Sequence, residues 1–600
     1  MTARRIHRIM TLLLCLPCCS AAAHGLNAGA VTFTGNTRFS TRQLARAAQW
    51  HWPAGRFDRD SLKQGLARLT DLYARQGYND ASAEYLLHED TAAGRCDVRV
   101  YISEGPQYII SDIVATGNRR LTTAQLLSAL SSRPGRPYDI GASGADDFQL
   151  MMLYADHGLI FAEAEHQADI GEDQRVTITY HVSEGEPVNI GRINIAGNRS
   201  VRPQAVLREL TVAPGALFSR RELARSRAQL EATGLFRDIS VSPGSLSQDH
   251  AAIDLDVTLA ERPRHSFETG FGYGSGDAVR LTAAWTDRDL DGWGKRLQVS
   301  GQLAFQLWTR FKLVRGTMQA SYLDPWLLGR RRPASANLYY DDVRPAYTDY
   351  RLQTIGGSLQ TNIYNGSYIN AGTIWRQEWL RLSPNWSIPD NAADTLHYRG
   401  RRSLSLYAGL ERTLDPVSPI RGLRGDGEAE YAGGLLGGTD TYQRLSGTAI
   451  VYGGLRPLPL QFAARLRCGI IGDWSRRFQV PVYEKFYLGG PMTLRGFGLG
   501  MAGPLDGQGR PTGGDKMVLL NLEARLRVHG KWLLACFGDA GFVSDRRFAK
   551  VSLAEAVGSP GAGVRYVLPL GSARLDAAAP LAHVRSIRAW RVIVAWGEVF

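Results

Sequence analysis

The chain has 600 residues and carries a formal net charge of +13, from 70 Lys and Arg against 57 Asp and Glu. That length is too great for one hydrophobic core, so several domains are expected. The positive balance does not point to nucleic acid: arginine is scattered rather than clustered, and inward-facing arginines or contacts to anionic lipid heads account for it equally well.

The opening "MTARRIHRIMTLLLCLPCCSAAAHG" combines basic Arg4, Arg5 and Arg8 with an apolar stretch from Met10 to Cys19 and small residues at Ala21, Ala22 and Ala23. Residues 1–23 therefore read as a secretory signal peptide. Cys18 and Cys19 raise a lipid-attached alternative, which Pro17 fits poorly. Cys96, Cys468 and Cys536 remain after the signal, too few and too widely spaced for a disulfide framework or a zinc site. No mature segment approaches the ~20 apolar residues of a membrane helix. A membrane form would have to be a closed barrel, because only closure satisfies every backbone group in lipid.

Residues 27 to 263 contain three related units, expected at 27–107, 108–187 and 188–263. Each opens on a short strand ending in Gly-Asn: "VTFTGN", "DIVATGN" and "RINIAGN". A helix follows, with candidate N-caps at Ser40 and at Thr122 or Thr123. A second helix closes on Gly77, Gly158 or Gly234, where a left-handed turn suits glycine. In the first unit Leu62, Leu66, Leu69 and Tyr73 share one helical face. Two strands, such as "CDVRVYISEGP", complete the β-α-α-β-β order of an α+β module. By periodicity alone these units read equally as generic spacers.

From 264 to 600 helical periods vanish and segments of about ten residues alternate strictly. In "RLQVSGQLAF", Leu297, Val299, Leu303 and Phe305 share one face, and Arg296, Gln298, Ser300 and Gln302 the other. "SLSLYAGLE", "FAARLRCGI" and "VLLNLEARLRV" repeat the pattern. An apolar face opposite a polar, often charged one is the signature of a transmembrane barrel with a wet interior; a soluble sandwich is the alternative. Turns at Gly, Pro and Asp clusters divide this half into sixteen antiparallel strands. Short turns at 291–295, 329–333 and 529–531 alternate with long ones at 383–400 and 475–515. Cys468 and Cys536 then face lipid on non-neighbouring strands.

The 475–515 stretch, the sixth outer loop, has no period and no obvious cap, and a structureless loop of that length usually has a job. It contains "FYLGGPMTLRGFG", with Arg495, Gly496 and Phe497. Strand 12 presents Asn521, Glu523 and Arg525 on its inward face, and in strand 13 Phe537, Asp539 and Gly541 share a face. If that face is the lumen, a carboxylate and an aromatic ring meet an inward-folding loop. Arginine suits the place, because its planar fork binds carboxylates bidentately and its face stacks on a ring. The loop is then expected to plug inward, pinned by Arg495 to Asp539 and Glu523 over Phe537, with Gly496 allowing close approach to the wall.

With the repeats, "YLDPW" (322–326), "LDPVSPIRG" (414–422), "LRGFG", "NLEARL", "FGDAGFV", "RLDAAAPL" and the closing "WGEVF", the whole mature chain resembles the outer-membrane assembly superfamily of BamA and TamA. The resemblance implies periplasmic POTRA repeats before a sixteen-strand outer-membrane barrel of a Gram-negative bacterium. It also implies a sixth-loop contact carried here by Arg495, Gly496, Phe497, Glu523, Phe537 and Asp539. Leu494 stands where Val or Ile is commoner in the family, and Gly538 where a bulkier residue often sits. Three repeats look like the TamA branch, since BamA proteins carry five.

A barrel that inserts other barrels needs a seam that opens. Gly270 and Gly272 loosen the first barrel strand, while Gly597 and Phe600 mark the end of the last. The plainer readings are relief of crowding and an ordinary terminal export signal. An open seam would offer backbone groups to an incoming strand within a locally thinned outer-membrane bilayer. The expected function is insertion and assembly of unfolded autotransporter-like or other β-barrel clients, with a TamB-type inner-membrane-anchored partner implied by the resemblance. Alternatives are a two-partner-type secretion pore for a dedicated exoprotein, lipid transport with such a partner, and a plain diffusion channel. Without a Walker loop, metal spacing or nucleophile–base pair, neither enzymatic activity nor a cofactor or metal is expected.

Overall fold

The computed structural model describes residues 26–52, 55–274, 278–306, 312–344, 350–366, 368–384, 398–413, 421–455, 458–473, 479–545, 555–568, 571–581 and 590–596. The expected signal peptide, Gly597 and Phe600 lie outside them. The chain divides into two compact units. One holds most of the three modules; the other holds the barrel with Gly197–Glu209 and Gln229–Ile239.

The first module runs β1 (Asn27–Thr34), α1 (Thr41–Ala48), α2 (Arg59–Ala74), β2 (Ser82–Asp90), β3 (Arg95–Ser103). Its sheet order is β1-β3-β2, with β1 parallel and β2 antiparallel to β3. The second repeats this with β4 (Ile109–Thr116), α3 (Thr123–Ala129), α4 (Ile140–Asp156), β5 (Glu163–Ile170) and β6 (Arg175–Ser183). The third uses β7 (Asn189–Ala196), α5 (Pro203–Leu207), α6 (Arg220–Ala232), β8 (Phe236–Leu246) and β9 (Ala252–Glu261).

Local chemistry fixes these elements. Ser40 and Thr122 cap α1 and α3 through reciprocal capping boxes with Gln43 and Gln125, while α5 starts on Pro203 with no side-chain cap. Leu62, Leu66, Leu69 and Tyr73 of α2 are buried against Val98, Val100 and Ile102, each burial contributing about 1.5–3 kcal/mol. Gly77, Gly158 and Gly234 all take positive φ after their helices.

The Gly-Asn signature has a structural reason. Gly35, Gly117 and Gly197 have φ of 89°, 82° and 85°. A Cβ at each would fall against the backbone carbonyl oxygen of Ile102, Val182 or Leu259. The Asn side chains donate to the carbonyls of Phe39, Leu121 and Val201. A glutamate at the end of the last strand then accepts the freed amides. Glu104 takes those of Thr37 and Arg38, Glu184 those of Arg119 and Arg120, and Glu261 those of Arg199, Ser200 and Val201. Burial acts to raise these carboxyls, but the hydrogen bonds outweigh it and hold all three below the usual range.

The second half forms sixteen antiparallel strands in a closed barrel, from β10 (His265–Gly274) to β25 (Arg591–Trp596). In β17 (Tyr398–Thr413) Ser403 and Ser405 are fully buried while Leu404 and Leu406 lie on the exposed outer wall. Two turns differ from expectation. Strands end earlier than the short turns implied, leaving 288–295 and 325–333 as structured loops. Those loops hold the segment Gly197–Glu209: the Arg202 amide donates to the Gly292 carbonyl, and Arg208 Nη2 to the Trp293 carbonyl at 2.6 Å.

Because the Glu184 carboxyl is depressed in the folded chain, its brace is complete above about pH 4.3. It is lost as pH falls through the lower folded value. Glu184→Gln is expected to cost about 1–2 kcal/mol. Amide hydrogen exchange at Arg119–Leu121 should accelerate at neutral pH, and the wild type should approach the variant on acidification.

Candidate functional site: the docked loop and the barrel seam

The sixth outer loop folds into the bore and is held at two places. Its main anchor is Arg495, which has no exposed surface. The side chain forks onto Asp539, with Nε at 2.9 Å from Oδ2 and Nη2 at 2.8 Å from Oδ1, and its own amide donates to Oδ2 at 3.1 Å. Nη1 donates to Glu523 Oε2 at 2.7 Å, and the guanidinium carbon lies 3.3 Å from the centre of the Phe537 ring. The expected set Arg495, Glu523, Phe537 and Asp539 is thus brought together. Strand alternation explains why: Glu523 on β21 (Lys516–His529) pairs directly with Phe537 on β22 (Trp532–Ser544), and Asn521 with Asp539.

Gly496 follows in a gap where a Cβ would lie 2.7 Å from Ala579 backbone atoms and from Ser559 Oγ, and its amide donates to that hydroxyl. Phe497 packs among apolar side chains. It is buried with Leu488, Leu494, Ala502, Met517, Leu519 and Val543 in a small apolar core between loop and wall. The bore is therefore not uniformly polar: Met517, Leu519 and Val543 point inward where the loop covers them.

Asp576, Arg565 and Arg574 lay beyond the sequence reading, whereas Arg525 and Asn521 were already placed on the inward face beside Glu523. Asp576 on β24 (Gly571–Ala578) stands 3.7 Å from Arg495 Nη1. Arg565 on β23 (Val557–Leu568) pairs with Asp576 and reaches Glu523 at 3.3 Å; Arg574 reaches Asp576 at 3.3 Å, and Arg525 reaches Glu523 at 2.8 Å. Three carboxylates thus alternate with four guanidiniums, and each of these buried charges has an opposite charge within 3.7 Å. Gly561 makes room for the Phe537 ring and Gly563 for Asp576 and Arg565. Three successive loop carbonyls are also captured: Pro491 by Arg574, Met492 by Arg465 and Thr493 by Asn521. "RLDAAAPL" was the available signal for Arg574 and Asp576.

The second anchor reverses the polarity. Glu484, in the short turn Val482–Glu484 of the loop, is buried and pairs with Arg401 of β17 and with Arg444 of β19 (Tyr442–Leu455), the latter at 2.6 Å. Tyr483 donates to Asp440, which Arg399 also holds.

The seam lies between β10 and β25. Gly270 and Gly272 sit mid-strand opposite Thr282 and Arg280 of β11 (Ala278–Asp287), not at the closing pair. A Cβ at Gly270 would overlap Thr282 Oγ1, so that glycine does relieve crowding. Gly274 of β10 pairs with Ala595 of β25, and β10 pairs with β11 from His265 to Gly274. Cys468 and Cys536 are exposed and free on the second and fourth of β19, β20 (Leu460–Gly472), β21 and β22. Among the described residues no His, Cys, Asp and Glu group is placed to hold a metal ion.

Residues 289–592 match the Omp85 superfamily domain, and 28–105, 108–185 and 188–262 match the surface antigen variable number repeat, POTRA. The chain belongs to the Omp85 superfamily. It is similar to the outer membrane protein assembly factor BamA of Nitratidesulfovibrio vulgaris, 26% identical over 79% of this chain and 59% of that protein. It is also similar to BamA of Neisseria meningitidis, 24% identical over 92% of this chain and 75% of that one. The chain thus spans about three fifths of the first relative's length and three quarters of the second's. Among solved structures it resembles Haemophilus ducreyi BamA lacking POTRA domains 1–3, with a TM-score of 0.64 and 18% identity over 81% of this chain and 99% of that one, a likeness of fold.

Arg495→Ala strips Asp539 of the guanidinium that clasps it and is expected to destabilise the docked loop by roughly 3–5 kcal/mol, less where water enters the bore. Limited proteolysis within 479–515 should become rapid, and Arg495→Lys, which lacks the fork, should recover little of the loss. Charge exchange, Arg495→Asp with Asp539→Arg, should regain part of the protection lost in Arg495→Asp alone.

Proposed function

We propose that the protein is an outer-membrane insertion and assembly factor for β-barrel clients, without enzymatic activity, its modules standing in the periplasm. The observation that carries this reading is the asymmetry at the seam. On one side, β21 to β24 are tied together through the charge lattice around Arg495. On the other, β10 carries Gly270 and Gly272 in mid-strand and meets β25 at Gly274↔Ala595. Strand edges that part there expose unpaired amides and carbonyls, which an incoming strand can satisfy by β-augmentation. An apolar recess of 780 Å³ on the outer wall beside the seam, lined by Phe271, Trp532, Tyr566, Leu575 and Val594, suits the side chains of such a strand. The names of the BamA relatives support the same activity.

The finer reading is a TamA-type subunit serving autotransporter-like clients with a TamB-type partner anchored in the inner membrane. It is supported by the three repeats within 28–262.

Depletion of the protein should remove a defined set of β-barrel proteins from the outer membrane, measured by quantitative proteomics of that fraction. An unchanged set would overturn the assembly reading. Gly274→Cys with Ala595→Cys, oxidised to close the seam, should block rescue of the depleted strain, and reduction should restore it.

A further inference from the structure

The loop between β13 (Lys312–Asp324) and β14 (Ala334–Val343) contains "YLDPWLLGRRRP", of which the assembly reading uses nothing. Its tip is a tight turn. The Arg330 amide donates to the Leu327 carbonyl at 3.1 Å, and both central residues have positive φ, Leu328 at 52° and Gly329 at 71°. This is the primed turn that favours Asn-Gly or Asp-Gly. A leucine in the first central position is strained, because its Cβ crowds the following carbonyl. The same leucine is 91% exposed. Backbone strain and an unburied apolar side chain both count against folding, and such a residue points to a role outside the folded chain's own stability.

The two flanks of the turn do different things. One holds the segment Gly197–Glu209: Trp326 Nε1 and Arg331 both bind Glu209, and the Arg208 guanidinium lies between the rings of Trp293 and Trp326, 5.2 and 5.1 Å from their centres. The other flank presents Leu328 with Arg330 and Arg332, both exposed and making no side-chain hydrogen bond or ion pair among the described residues. The outer faces of the strands that carry the turn continue it. Met318 of β13 is 64% exposed and Leu338 of β14 is 69% exposed, on the wall that lipid covers.

We propose that this turn is a lipid-binding foot. Leu328 enters the acyl layer of the leaflet nearest the turn, while Arg330 and Arg332 bind the phosphates of anionic phospholipid headgroups. The occupant follows from continuity with the lipid-facing wall and from charge. An apolar tip flanked by cations matches an interface that is apolar inside and negatively charged outside. Through Trp326 and Arg331 the same turn fixes Gly197–Glu209, so lipid binding bears directly on the part of the third module that packs with the barrel.

The test uses the full chain in vesicles of phosphatidylethanolamine and phosphatidylglycerol with brominated acyl chains. A bimane is placed at Leu328→Cys in a background in which Cys15, Cys18, Cys19, Cys468 and Cys536 are replaced by Ala; Cys96 is buried and stays. Labels at Met318→Cys and Gln508→Cys report the outer wall and an exposed loop tip. Quenching at 328 is expected to resemble that at 318. It should fall several-fold when phosphatidylglycerol is omitted or when Arg330→Gln and Arg332→Gln are combined, with the heat-dependent gel shift of the folded barrel unchanged. Quenching at 328 like that at 508 would overturn the proposal. So would a label shielded from both bromolipid and aqueous iodide, which would mean that protein covers the turn. Quenching indifferent to phosphatidylglycerol and to both arginines would overturn the headgroup assignment.

Discussion

A guanidinium clasped between two carboxylates and laid on an aromatic ring is the interaction on which the second half of this protein depends. The 479–515 loop has little regular structure of its own, so its backbone cannot define its position. Arg495 supplies what the backbone lacks. Its planar fork fixes orientation as well as distance, and the Phe537 face limits it to one plane. Desolvating one such charge would be costly. Distributing compensation over Glu523, Asp539, Asp576, Arg525, Arg565 and Arg574 turns the cost into a lattice whose members each have opposite charges in reach.

The loop's attachment is divided in a way that specifies direction. At Arg495 the loop brings the cation and the wall the carboxylates; at Glu484 the loop brings the carboxylate and the wall Arg401 and Arg444. A loop docked in reverse would set like charge against like at both ends. Between the anchors, Leu488, Leu494 and Phe497 meet Met517, Leu519 and Val543, adding nondirectional adhesion to two directional contacts. The glycines complete the fit by leaving space where the close approaches occur, at Gly496 in the loop and at Gly561 and Gly563 in the wall.

The period-2 alternation made the barrel legible, because a wet bore inside lipid demands it along every strand. It also made Glu523, Phe537 and Asp539 legible, since facing within adjacent strands follows from parity. Asp576, Arg565 and Arg574 were not readable that way. Their meeting with Arg495 depends on register carried across four strands, and "VGSPGAGVRYVL" alternates too poorly to fix it. Glu484 was hidden because it lies in irregular chain, where no period assigns a face. Leu519 broke the inward-polar rule because the loop covers it, and alternation knows nothing of what covers a wall. In the modules, the Gly-Asn signature was visible as a repeat, but its purpose needed the carbonyl beneath the glycine and the glutamate across the sheet.

The position of the charge lattice also constrains how the proposed seam can work. Asp576 and Arg574 lie on β24, whose partner β25 is the last strand, with Arg574 opposite Ala595 and Asp576 opposite Ile593. The same β25 residue, Ala595, makes the described closing contact with Gly274. Through the docked loop, strands β21 to β24 are held as a plate, and β25 is hydrogen-bonded to that plate from Ala573↔Trp596 to Ala578↔Arg591. Among the described residues the charge ties of the other lip, β10, lie toward its root: Arg264 and His265 reach Asp287, and Arg288 reaches Glu268 at 4.0 Å. Deformation at fixed load concentrates in the more compliant lip. In the proposed mechanism β10 therefore bends from a root held at Asp287 while β25 keeps its place, and the loop's role is to make the two lips mechanically unequal.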